Sequence, residues 1–171
     1  MTTGVTPAAA ASPHERRYIA GGLLLGVGLG GFVDGIVLHQ LLQWHHMLTS
    51  TGDHPATTVA GLEVNTLWDG LFHVTAWIAT LLGVLLVATA TDARHRSPGW
   101  RLVGLLMVGW GGFNLVEGLV DHHLLTIHHV RDDVGAPVGW DLAFLALGAV
   151  LVLGGLVLAR RGPGARPREA A

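Results

Sequence analysis

The chain carries eleven histidines, twelve acidic residues, no cysteine and no lysine. Seven of the histidines fall in two short stretches, His39, His45 and His46 in one and His122, His123, His128 and His129 in the other. The carboxylates Asp34, Asp69, Glu117 and Asp121 and a further imidazole, His73, lie in or beside apolar runs. Imidazole and carboxylate together make a nitrogen/oxygen donor set for copper, zinc or iron. A histidine that binds a metal commonly donates its other ring N–H to an acid, and acids stand close to these histidines. The absence of cysteine removes disulfides, thiolate zinc sites, iron–sulfur clusters and cysteine nucleophiles. The absence of lysine removes Schiff-base chemistry. There is no Gly-x-Ser-x-Gly, P-loop or His-Glu-x-x-His motif. The spacings His-x5-His-His and His-His-x4-His-His also differ from the His-x-x-His-His boxes of membrane desaturases and hydroxylases.

The elements that must position these groups are membrane helices. Of 171 residues 50% are hydrophobic and 13% charged, and the mean hydropathy is +0.50. Soluble domains carry about 25% charged residues. A net charge of −2 leaves no broad basic surface for nucleic acid. Crossing a bilayer takes ~20 apolar residues, and four runs qualify: Tyr18 to about His46, Thr66 to Ala90, Trp100 to about His129, and Val138 to Ala159. The reading is an all-α, four-helix transmembrane bundle in one membrane domain, residues 18–159, between disordered ends at 1–17 and 160–171. Arg16 and Arg17, then Arg94, Arg96 and Arg101, then Arg160, Arg161, Arg166 and Arg168 mark one side of the membrane. The positive-inside rule makes that side cytoplasmic, with both termini on it. The Arg16-Arg17 pair reads as the anchor of a retained helix; the run after it has no small-residue cleavage site, unlike a secretory signal.

The ends of spans one and three align without gaps. Asp34-Gly-Ile-Val-Leu-His-Gln-Leu-Leu-Gln-Trp-His-His46 and Glu117-Gly-Leu-Val-Asp-His-His-Leu-Leu-Thr-Ile-His-His129 share seven identities in thirteen positions. Trp68-Asp69-Gly70-Leu71-Phe72 echoes Trp140-Asp141-Leu142-Ala143-Phe144 more weakly. The expectation is two helix–loop–helix copies, residues 18–90 and 100–159. Each copy holds an even number of spans, so the two are parallel.

Counting ~20 residues at ~1.5 Å each from the arginine-marked ends puts His39, Asp69, His73, Asp121, His122 and Asp141 in one layer near the outer boundary of the hydrocarbon. Asp34 and Glu117 come out one turn deeper, and His45, His46, His128 and His129 further out. Ionisable groups at such depth need partners inside the bundle. The expected site is an inner tier of His39, His73 and His122 with Asp34, Asp69, Glu117, Asp121 or Asp141 as ligands or orienting acids, and an outer tier of His45, His46, His128 and His129. Copper, zinc and iron are not distinguished by these residues. Two alternatives remain open: a bis-His b-type haem on His39 and His122, with room made by Gly26, Gly28, Gly30, Gly31, Gly109, Gly111 and Gly112, and a proton or metal-ion pathway. Against the pathway, Tyr18 to Val33 and Leu102 to Val116 contain no ionisable group within the membrane. A redox metalloenzyme and a metal-handling or assembly protein both fit, with the bilayer, a membrane redox partner or a small hydrophobic substrate as partners.

The string Gly31 to His46, with Asp69-Gly70-Leu71-Phe72-His73 and Asn114 to His123, resembles a bacterial family of predicted integral membrane proteins of unknown function. The resemblance covers Tyr18 to Ala159. It implies a four-helix protein of the bacterial inner membrane and carries no activity with it.

Overall fold

The computed structural model describes residues 11–161. Helix α1 (Pro13–Phe32) continues as a π-helix over Val33–Leu41. Helices α2 (Val59–Thr89) and α3 (Thr91–Arg96) follow. Helix α4 (Gly99–Glu117) also continues as a π-helix, over Gly118–Leu124. A 3-10 turn at Asp132–Val134 precedes α5 (Val138–Arg160). Among the described residues there is no strand. With their extensions, α1, α2, α4 and α5 are long and apolar enough to cross a membrane, so the chain is an all-helical, four-span protein.

The boundaries differ from the expected spans in informative places. Helix α1 begins at Pro13 because the Ser12 side chain accepts from the Glu15 N–H, and proline is favoured in the first turn. Residues 13–17 are therefore helical; they are not part of a disordered end. The expected disorder at 1–10 and 162–171 lies outside the described residues. Helix α2 starts at Val59, seven residues before Thr66, where Thr58 caps the Gly61 N–H at 3.1 Å. Spans one and three stop at Leu41 and Leu124, short of His46 and His129.

Helices α1 and α4 form the central pair. Of their most apolar stretches 44% and 39% is buried, against 11% for each of α2 and α5. Helix α2 packs on α1 and α5 on α4; the backbones of α1 and α5 stay more than 8 Å apart, as do those of α2 and α4, which meet through the Phe72 and Phe113 rings at 6.0 Å. Small residues permit the central crossing: a Cβ on Gly26 would stand 2.8 Å from the Gly109 Cα and would strike the Leu106 carbonyl oxygen. Similar contacts recur on the outer faces. Gly21 lies against Gly83 and Val87, and Gly104 against Gly155 and Ala159. Without a hydrophobic driving force between helices in lipid, such close backbone approach is what holds them together. At the arginine-rich end Tyr18, Ala90, Ala93 and Leu105 form an apolar cluster. Arg101 sits over the Tyr18 ring at 5.5 Å and pairs with Glu15.

Gly26→Leu is expected to destabilise the protein by about 1–3 kcal/mol or more through overpacking. Gly112→Ala, where nothing lies within 4 Å of the added Cβ, is expected to be neutral. Thermal unfolding in detergent reads both.

Candidate metal centre

The π-helical ends decide where the histidines go. A π-helix bonds i to i+5, which stacks residues five apart and brings His39 Nε2 to 2.9 Å from Asp34 Oδ2. The chain then reverses. The Leu42 N–H bonds the Val37 carbonyl and the Trp44 N–H the Leu38 carbonyl, with Gln43 in left-handed conformation at φ 50°. The second half does the same: Leu125 to Val120, Ile127 to Asp121, and Thr126 at φ 48°. A non-glycine residue in that conformation costs roughly 1–2 kcal/mol. Both costs serve one result, the return of the residues after the helix over its end.

This return corrects the expected two tiers. His45 and His128 are not further out than His39 and His122; they join them. Ring centroids lie 4.4 Å apart for His39 and His45 and 4.9 Å for His122 and His128. His45 and His128 stack on each other at 4.7 Å and 4°. All four imidazoles are at most 1% exposed. A straight helix would have carried His45 and His128 past the cluster; the wide turn and the reversal fold them in.

Three of the rings are oriented by a hydrogen-bond acceptor, and the fourth, His122, faces a carboxylate. His45 Nδ1 donates to the Val130 carbonyl at 3.1 Å, and His128 Nδ1 donates to the Met47 carbonyl at 3.3 Å, so the two loops hold each other's histidine. His39 Nδ1 donates to Asp69 Oδ1 at 2.9 Å, and His122 Nδ1 stands 3.5 Å from Asp141 Oδ1. A carbonyl only accepts, so the proton is on Nδ1 of His45 and His128. Burial holds both of these imidazoles below the usual histidine range, His128 well below it, with neighbouring imidazoles adding to the effect. They are neutral at neutral pH and present an Nε2 lone pair. The Nε2 atoms of His39, His45, His122 and His128 all lack a hydrogen-bond partner. His39 Nε2 approaches Asp34 without the alignment of a hydrogen bond.

Two overlapping groups have donor atoms within 4.8 Å of one another: His39, His45 and His128, and Glu117, His122 and His128. Metal–nitrogen bonds of ~2.0–2.1 Å set three ligand atoms about 3.4–3.6 Å apart, so either group would draw in around an ion. The Asp34 and Glu117 carboxyl groups lie close enough to interact and are buried. Among the described residues no arginine pairs with Asp34, Asp69, Glu117 or Asp141.

The remaining expected residues divide. Asp69 is an orienting group. Its oxygens take His39, His46 Nδ1 at 2.6 Å, Gln40 Nε2 at 3.1 Å and the Met47 N–H at 3.0 Å, which leaves little capacity for an ion. Asp141 plays the matching part, taking His129 Nδ1 at 2.8 Å and the Val130 N–H at 2.9 Å. His46 and His129 thus fasten the loops to these carboxylates and do not enter the cluster. His73 is not brought in: its Nδ1 donates to the Asp69 carbonyl at 2.7 Å, one helical turn back, and its ring edge fills the space over Gly35. Asp121 is half-buried in the cleft between α2 and α4. Sequence reasoning missed Asn65, Asn114 and Asp132. Asn65 binds the Leu48 N–H and the His54 carbonyl; Asp132 takes the Thr49 and Ser50 hydroxyls. A lone polar residue in an apolar helix was the signal for both asparagines.

Asp69→Ala leaves the Met47 N–H and two ring N–H groups without their acceptor. At about 1–3 kcal/mol for each orphaned buried donor, a loss of about 3 kcal/mol is expected. It should appear as a lower Tm and as new protease cleavage within residues 49–55, with His123→Ala as the unaffected control.

No curated protein and no solved structure matches the chain. Residues 21–162 match the model of a family described as "Predicted membrane protein (DUF2243)", and the chain therefore belongs to that family of membrane proteins of unknown function.

Proposed function

We propose that the protein is an integral membrane metalloprotein whose centre is built from His39, His45, His122 and His128 with Asp34 and Glu117. One observation carries this: four buried imidazoles stand together with unpartnered Nε2 atoms, while acceptors hold Nδ1 of His39, His45 and His128 and Asp141 lies 3.5 Å from Nδ1 of His122. Buried polar atoms are almost always satisfied, and ten such side-chain atoms are unpartnered, eight of them on these six residues. A divalent cation between Asp34 and Glu117 would relieve the repulsion of two buried acids that no arginine pairs with. The sulfur-free nitrogen/oxygen set suits copper, zinc or iron.

The burial of His45 and His128 supports a resident ion more than one handed on to a partner. A cavity that reaches Asp34 supports access by a substrate, so a metalloenzyme is the favoured form of the reading. The haem alternative is disfavoured because His45 and His128 fill the middle of the cluster, and Gly26, Gly28, Gly109 and Gly111 are covered by neighbouring helices. The same close packing of α1 on α4 leaves no polar route below the cluster.

Two features of organisation belong to the proposal. The chain descends from a duplicated helix–loop–helix unit. Contacts at matching positions support this: His45–Val130 with His128–Met47, and Asp69–His46 with Asp141–His129. The protein lies in the bacterial inner membrane with its termini in the cytoplasm and the centre at the outer face, as its arginines direct. The cysteine-free chain makes that easy to read. A cysteine at Gly52 should react with a membrane-impermeant maleimide on intact spheroplasts, and one at Ser97 only after permeabilisation. The opposite pattern would invert the topology.

Detergent-purified protein, prepared without chelator, is expected to hold stoichiometric copper, zinc or iron by elemental analysis. His45→Ala and His128→Ala should lose it, and Asp141→Asn should weaken binding about 10–100-fold, as loss of an orienting partner does. His73→Ala should retain it. Metal-free wild-type protein, or full occupancy in the His45 and His128 variants, would refute the assignment.

A further inference from the structure

A cavity of about 250 Å3 lies beside the cluster, between the first span and α5, whose backbones stay more than 8 Å apart. Trp110 and Phe144 give it apolar walls. Toward the loops it is bounded by Trp44 and Trp140, whose rings meet edge to face at 5.2 Å. The Arg131 guanidinium covers both rings at 4.4 and 5.3 Å and is held there by Asp133. The water side of the cavity is therefore roofed, and its natural entrance is the gap between the helices, where lipid would stand.

Two polar side chains interrupt the apolar wall. Asp34 and Asn114 are 4% and 2% exposed, and Asp34 Oδ2 and Asn114 Oδ1 have no hydrogen-bond partner. An apolar pocket with a few convergent polar groups is the general form of a small-molecule site. Both oxygens are buried in the wall and unpartnered, so an occupant that reaches them must bring hydrogen-bond donors, and aromatic rings surround them. The fitting occupant is a flat ring with hydroxyl donors and an apolar tail that can trail into the bilayer.

We propose that this cavity binds a lipid-phase quinol, its ring between Trp110 and Phe144 and a hydroxyl donating to Asp34 or Asn114. The proposal deepens the metal-site reading and rests on it for the use made of the quinol, because Asp34 is shared between the cavity and the cluster. The cavity itself is formed by the helices whether or not an ion is present. The cleft between α2 and α4 reaches Glu117 but has no tryptophan in its wall, which makes the α1–α5 side the chosen one.

Full-length protein in lipid nanodiscs is titrated with decylubiquinol and, separately, decylubiquinone, with tryptophan fluorescence as the readout and metal content measured on the same samples. The expected result is saturable binding of the quinol, at least tenfold tighter than the quinone, which has no hydroxyl to donate. Ala143→Trp, which fills the cavity from an exposed position, should weaken quinol binding at least tenfold and leave the metal in place. Asn114→Leu provides the second variant and should reduce the preference for quinol over quinone. Metal-replete protein with no saturable quinol binding, equal affinity for the two forms, or binding untouched by both variants would overturn the proposal. Metal-free protein that still binds quinol saturably would overturn the metal reading and support this one.

Discussion

The structure depends on where four imidazole protons are held. Three of the rings have Nδ1 bound to an acceptor, a loop carbonyl for His45 and His128 and a buried carboxylate for His39, and His122 Nδ1 faces the Asp141 carboxylate at 3.5 Å. With Nδ1 engaged by a carbonyl, Nε2 of His45 and of His128 is left as a lone pair, and these two stacked rings stand between His39 and His122. Asp69 and Asp141 are therefore as necessary to the centre as the histidines, although neither is placed to hold an ion.

That arrangement constrains the backbone around it. The loops must return over the helix ends to supply His45 and His128, and they can do so only because α1 and α4 loosen into π-helix before a left-handed residue turns the chain. Each loop is then pinned twice, through a carboxylate on the neighbouring helix and through the histidine it accepts from the other loop. The central pair below must come close enough for these four ends to meet, and glycine at the crossing of α1 and α4 provides that closeness. Helix packing, the π-turns and the histidine cluster thus make up one mechanical unit, with the apolar outer helices carrying the orienting acids.

Much of this was legible in the residues. Hydropathy gave four spans, and the aligned histidine strings marked the two places where chemistry is concentrated. Asp34, His39, Glu117 and His122 were expected together and are together. What the sequence could not show was the path after Leu41 and Leu124. A regular helix was assumed, with 3.6 residues per turn, and it carried His45 and His128 about a turn or more beyond the cluster. Their actual position depends on a change of helical period and a positive φ at Gln43 and Thr126, neither a residue that announces such a turn. His73 was misplaced for a related reason. It shares a helix face with Asp69, but its ring is captured by the backbone one turn back. Nothing in sequence spacing distinguishes such a bond from a contact across helices. Asn114 escaped notice because its significance lies in the cavity that faces it.

The most direct measurement is X-ray absorption at the edge of whichever metal copurifies. Three or more imidazole ligands per ion are expected, with nitrogen and oxygen at about 2.0–2.1 Å, and the imidazole signal should fall when His45 and His128 are replaced. A spectrum without imidazole scattering, or one that those replacements leave unchanged, would contradict the assignment of His45 and His128 to a metal.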